Sequence, residues 1–108
     1  MRDSNFMILT ALAEGPVHGY GIMRDVEKLS KGRVKLRTST LYAALDRLSA
    51  ESLIEVDREE ITSGRLRRYY RLTDSGRTQL STAAKEQRGQ ADVALRRLGN
   101  PELGWSPT

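Results

Sequence analysis

Arg65, Arg67, Arg68 and Arg71 stand within seven residues of one another, with Tyr69 and Tyr70 among them and no acid between them. Guanidinium groups donate in a planar fork that matches the oxygens of a phosphate, so such a cluster suits phosphate contact. Its plain structural use is a solvated edge strand kept from pairing with other sheets by its charge. A second set lies upstream. Lys35 and Arg37 precede Thr38, Ser39, Thr40 and Tyr42, which places two cations before a run of small polar side chains and one tyrosine with a hydroxyl and a flat ring. If that run opens a helix, its first amides also favour an anion. Asp46 further along would repel phosphate or accept from a cytosine amino group.

Catalytic chemistry is poorly provided for. His18 is the only histidine, there is no Cys, and neither a Gly-rich phosphate loop nor a metal-ligand spacing occurs. No catalytic residue, metal site or cofactor is therefore expected. His18 sits between two helical patterns, where bonding to backbone as a structural cap is the expected role.

These residues need elements to hold them. Ser4 or Asn5 is expected to cap a first helix with Phe6, Ile8, Leu9, Leu12 and Ala13 at helical spacing, stopped by Gly15-Pro16. Val17-His18-Gly19 then reads as a turn. Tyr20, Ile22, Met23, Val26 and Leu29 repeat at three and four residues and predict a second amphipathic helix ending near Ser30-Lys31-Gly32. After the basic connector Arg33–Arg37, Thr38 or Ser39 is placed to cap a third helix reaching about Ser52. Leu41, Leu45 and Leu48 fall on one side of it, and Ser39, Tyr42, Ala43 and Asp46 on the other.

From Leu53 the period becomes two. Ile54 and Val56 alternate with Glu55 and Asp57, and a run from Leu66 to Leu72 returns across a turn containing Ser63-Gly64, with Arg58-Glu59-Glu60 read as part of a projecting loop. Alternation puts Arg67, Tyr69 and Arg71 on one face of the return strand and Arg68 and Tyr70 on the other; the tyrosines are expected to pack the ribbon onto the body. Thr73-Asp74 can cap a last helix reaching Leu98, where Leu80, Ala84, Gln87, Ala91, Ala94 and Leu98 form a heptad-like stripe with small residues at its centre. Because the first three helices already supply a core, this stripe is expected to pair with a second copy of the chain.

The pattern describes a mainly α protein with a small β-hairpin: a winged helix-turn-helix over residues 1–73, a long dimerisation helix over 74–99, and a flexible tail over 100–108 that carries Trp105. At 108 residues with 38% hydrophobic content, no disulfide or metal is needed for a modest core. A net charge of +4 leans toward a polyanionic partner. No basic start followed by an apolar run and no bilayer-length segment is present, so a cytoplasmic protein without membrane contact is expected.

Four blocks in this order resemble the PadR family of bacterial winged-helix transcriptional regulators, in particular its short members with a single C-terminal helix. They are Leu9-Thr10-Ala11-Leu12-Ala13-Glu14-Gly15-Pro16 with His18-Gly19-Tyr20-Gly21-Ile22; Thr40-Leu41-Tyr42-Ala43-Ala44-Leu45-Asp46-Arg47-Leu48; Leu53-Ile54; and Gly64-Arg65-Leu66-Arg67-Arg68-Tyr69-Tyr70-Arg71-Leu72-Thr73 with Gly76. The resemblance spans about Ile8 to Leu80. It implies a homodimer, joined through the last helix, that binds an inverted repeat in double-stranded DNA and usually represses. It also implies a major-groove role for Thr38, Ser39, Thr40 and Tyr42 and a backbone or minor-groove role for Arg65 and Arg67. Ser39 and Ser52 stand where the family commonly has Gly, so Ser52 must adopt a left-handed conformation or the helix must end differently. Some relatives hold a flat effector between subunits against a tryptophan of the last helix. Trp105 follows Pro101, outside that helix, so no ligand site is carried onto it. Without the resemblance, a winged-helix module that binds an acidic protein surface is the competing use.

Overall fold

The computed structural model describes residues 1–99; residues 100–108, with the expected tail and Trp105, lie outside the described residues. Helix α1 (Asp3–Ala11) is followed by strand β1 (Val17–His18), α2 (Gly19–Leu29), α3 (Thr38–Ala50), β2 (Ile54–Thr62), β3 (Arg65–Leu72) and α4 (Asp74–Arg97). The three strands form one antiparallel sheet in the order β1-β3-β2.

The winged helix-turn-helix expected from the sequence is present, with a third strand added. Val17 and His18, expected in a turn, pair with Tyr70 and Tyr69. A two-residue strand is too short to show a period, which is why the Gly-Pro stop before it reads only as a turn. Ile8, Leu9, Leu12, Ile22, Val26, Leu41, Leu45, Leu48 and Ile54 make the buried centre of the core, and Tyr70 and Leu72 close it from the sheet. Burying each large aliphatic side chain contributes about 1.5–3 kcal/mol. Two apolar positions assigned to the second helix's stripe are not core: Tyr20 is 65% exposed and Leu29 45%.

Caps decide where the helices begin and end. Arg2, not Ser4 or Asn5, is the N-cap of α1, and it makes no side-chain cap bond. Likewise α3 begins after Arg37 with no side-chain cap, so Thr38 and Ser39 lie inside its first turn instead of closing it. His18 does cap α2: its Nδ1 accepts the Gly21 N–H at 3.0 Å. At the end of α3, Ser52 has φ 61°, the left-handed option. Its N–H donates to Ser49 O at 3.0 Å while Leu53 N–H reaches back to Leu48 O at 2.9 Å, satisfying the last carbonyls of the helix.

One junction ties the wing to α4. Thr73 Oγ1 accepts the Gly76 N–H at 2.9 Å, making the expected cap, and donates to the Ser52 carbonyl at 2.6 Å. Gly76 packs directly on the Leu53 backbone, and a Cβ there would collide with the Leu53 carbonyl. From this junction α4 runs past α1, with Leu80 packed against the core and Arg77 donating to the Ala13 carbonyl at 3.3 Å.

Candidate nucleic-acid interface

The connector into α3 is sorted by alternation. Val34 and Leu36 pack against the core, leaving Arg33, Lys35 and Arg37 on the outside. Buried Ser30 fixes its path, because Ser30 Oγ accepts the Val34 N–H at 2.9 Å and donates to the Glu27 carbonyl. Lys35 lies 3.9 Å from Glu27 in a pair exposed on both sides, which leaves its ammonium largely available. Thr38, Ser39, Thr40 and Tyr42 are all exposed along the start of α3, and Leu41, Ala44, Leu45 and Leu48 hold the opposite face in the core.

The wing is a two-residue hairpin, not a ribbon with a long loop. Ser63 and Gly64 both have positive φ, 53° and 76°, as a tight turn between twisted strands requires. Arg58-Glu59-Glu60 belongs to β2, where Arg58 faces Tyr69, Glu59 faces Arg68 and Glu60 faces Arg67. A bulge between Val56 and Arg58 sets this register. Acids absent along β3 therefore arrive from across the sheet. Arg68 Nε is 3.2 Å from Glu59, and Arg71 meets both Glu55 at 2.7 Å and Asp57 at 3.3 Å. Arg58 pairs with Asp57 and Glu60 and lies 4.1 Å above the Tyr69 ring.

Each of these contacts favours a guanidinium that is charged in any case. Acceptance by the Glu55 carboxylate raises the Arg71 pKa, Glu60 and Asp57 raise that of Arg58, and the Tyr70 hydroxyl followed by Glu59 raises that of Arg68. Among the described residues Arg37, Arg65 and Arg67 form no ion pair. Over the whole hairpin four carboxylates face five guanidiniums, so the free cations are concentrated at Arg65 and Arg67.

Tyr42, Arg65, Arg67 and Arg68 come together along one groove of about 330 Å³ between α3, the start of α2 and the wing. Tyr42 does not stand free on its helix. Its hydroxyl lies over Gly19, 2.7 Å from where a Cβ would be. Lys35, Arg37, Thr38, Ser39 and Thr40 lie outside this groove, on the exposed connector and first turn of α3. His18, Gly19 and Tyr20 line the groove as well, although the sequence pattern gives them no part in binding. Their position at the start of a helix was the available signal, but only the β1–β3 pairing brings them beside the arginines.

Leu80 and Ala84 of the α4 stripe are half-buried, whereas Gln87, Ala91, Ala94 and Leu98 are exposed, Leu98 at 81%. The beginning of the stripe thus has an intramolecular partner and the remainder has none among the described residues. No described helix is long and apolar enough to cross a membrane.

A family model described as the transcriptional regulator PadR-like family matches residues 8–82. The transcriptional regulator Rv3488 of Mycobacterium tuberculosis is 34% identical over 92 residues, covering 85% of this chain and 79% of that protein. A PadR family transcription regulator of Clostridium difficile R20291 has a similar structure, with TM-score 0.75 and 27% identity over 91% of this chain and 100% of that one. Bacillus subtilis PadR, solved in complex with operator DNA, superposes with TM-score 0.68 and 27% identity over 77% of this chain and 47% of that one.

Proposed function

The chain belongs to the PadR-like family of transcriptional regulators, and from that premise we propose that it is a dimeric DNA-binding repressor. Residues 1–73 serve as the reading unit and α4, within 74–99, as the dimerisation helix. Two copies of α3 enter successive major-groove faces of an inverted repeat, about 34–36 Å apart, with the wings on the flanking backbone. The observation that carries this reading is the groove that joins Tyr42 on the exposed face of α3 to the unpaired cations Arg65 and Arg67. The structural likeness to a regulator solved on its operator supports it. Lys35 and Arg37 add phosphate contacts before the helix, Thr38, Ser39, Thr40 and Tyr42 reach base edges, and Arg68 joins only where Glu59 yields it. Such a regulator works in the cytoplasm.

Affinity and sequence choice separate in this scheme, since phosphate contacts position and base contacts specify. Replacing Arg65 and Arg67 together by Ala is expected to weaken binding to every duplex alike and to flatten the dependence of log K on log salt by about 0.9 for each phosphate no longer neutralised. Ser39 or Tyr42 substitutions should instead change the ranking of sites. Fluorescence titration over a salt series measures both, and an unaltered slope in the double arginine variant removes the wing from the interface.

One observation favours a second use. Ile61 and Leu66 face each other at the wing tip and are 78% and 61% exposed, an apolar pair suited to a protein partner. A module of that kind would show neither tight duplex binding nor a steep salt slope, which the same titration distinguishes. Release by a flat effector held between subunits is compatible with the repressor reading and is checked by a thermal shift against aromatic compounds.

A further inference from the structure

The fold accounts for only one of the two ring nitrogens of His18. Nδ1 accepts the Gly21 N–H, so it carries no proton, and the neutral ring holds its hydrogen on Nε2. Nε2 in turn faces Arg67 Nη1 at 3.3 Å. A guanidinium has donors and no acceptor. Two N–H donors therefore converge, and neither can accept from the other, at an exposed site beside Tyr20, Tyr42 and Arg65. The ring is firmly placed: His18 is held opposite Tyr69 in the sheet, with the two rings edge to face at 5.3 Å. Arg68 and Arg71, by contrast, give their donors to carboxylates.

We propose that His18 and Arg67 form a notch for one non-bridging oxygen of a DNA backbone phosphodiester, with Tyr20 beside it in the same groove. This rests on the DNA-binding reading above and adds His18 and Tyr20 to it. A phosphate oxygen supplies the acceptor both donors lack, and bonds of that type are stronger than neutral ones. Because His18 also caps α2, and Tyr42 lies over Gly19 of the same turn, a phosphate held in the notch fixes where α3 sits along the duplex. His18 is thereby both a cap and a ligand-contacting residue.

The test separates the two uses. In His18→Asn the amide oxygen can still accept the Gly21 N–H, Asn being a good N-cap, while no atom remains at the place of Nε2. The full chain and this variant are titrated with a duplex selected from a random pool, carrying a neutral methylphosphonate at one phosphate at a time. Wild type should lose about ten-fold in affinity at one phosphate of each half-site. H18N should bind the unmodified duplex about ten-fold more weakly, lose nothing further at that phosphate, and melt at the wild-type temperature. Should H18N melt lower, Arg67→Met at an exposed position gives the same reading, and the same phosphate must lose its effect. Equal binding by H18N and wild type, or losses that add at every position, overturns the notch while leaving DNA binding intact. A His18 ring signal that responds to inorganic phosphate with no coupled methylphosphonate position overturns it too, in favour of a free anion. A wild-type chain that binds no duplex overturns the DNA reading and the notch with it.

Discussion

Ser52 occupies a left-handed position with φ 61° between α3 and β2, and two hydrogen bonds to the end of α3, from its own N–H and that of Leu53, hold it there. A side chain there costs about 1–2 kcal/mol, part of which glycine gives back through its freer unfolded chain. Ser52→Gly should therefore stabilise the fold by about 0.5–1 kcal/mol, a rise of a few degrees in melting temperature for a chain of this size. Thermal denaturation followed by circular dichroism reads it directly, and an unchanged or lowered midpoint would mean the turn is not strained. The helix end here was legible in the sequence because a helix stripe stops and a strand period begins on either side of Ser52, whereas its left-handed conformation was one of two options raised only by the resemblance to a family that commonly has Gly at this place. His18 was half legible: its place before a helix predicts the cap, but its contact with Arg67 depends on a two-residue strand that no periodicity announces. Tyr42 shows the same limit. Spacing puts it on the open face of α3, whereas packing against Gly19 on another helix decides where its hydroxyl lies.

The hairpin is an element whose charge depends on register. Read along β3 alone it is strongly basic, but the bulge near Asp57 sets which β2 acid meets which arginine, and Glu59 opposite Arg68 takes up one guanidinium. Period-two alternation revealed the two strands and the Ser63-Gly64 turn. It could not reveal the pairing, since one residue of slip would exchange every cross-strand partner. Glu59→Gln isolates this effect. The pair is exposed on both sides, so its removal should change stability by less than about 1 kcal/mol. If the wing lies on the DNA backbone, the freed Arg68 neutralises a further phosphate, and the salt slope should steepen by about 0.9 with tighter binding at low salt. A slope identical to wild type would keep Arg68 off the backbone, leaving Arg65 and Arg67 as the cations of this wing. The apolar pair Ile61 and Leu66 at the tip, which cross-strand contact helps hold in register, should be indifferent to this change.

At the scale of the whole molecule, the helical core and wing are self-sufficient and α4 is not. Its first turns are anchored by Thr73, Gly76, Arg77 and Leu80, after which Gln87, Ala91, Ala94 and Leu98 carry the stripe onward without cover. A helix of about 13 residues in water is marginal by itself, and Gly89 lowers its propensity further by about 1 kcal/mol. A partner that buried the small-residue stripe would stabilise this half, and a second copy offers a matching stripe by symmetry. Ala91→Glu combined with Ala94→Arg puts two bulky charged side chains where a second copy of the helix would have to approach closely, at exposed positions beyond the anchored turns. Light scattering is expected to show wild type at twice the 12.1 kDa chain mass and the variant at the chain mass. The variant's core and wing should stay folded, while its affinity for an inverted repeat falls toward that for a single half-site, because the second reading helix is no longer held at effective concentration. A variant that keeps the doubled mass would place self-association on another surface, and a wild type at the chain mass would leave the exposed half of α4 to a different partner.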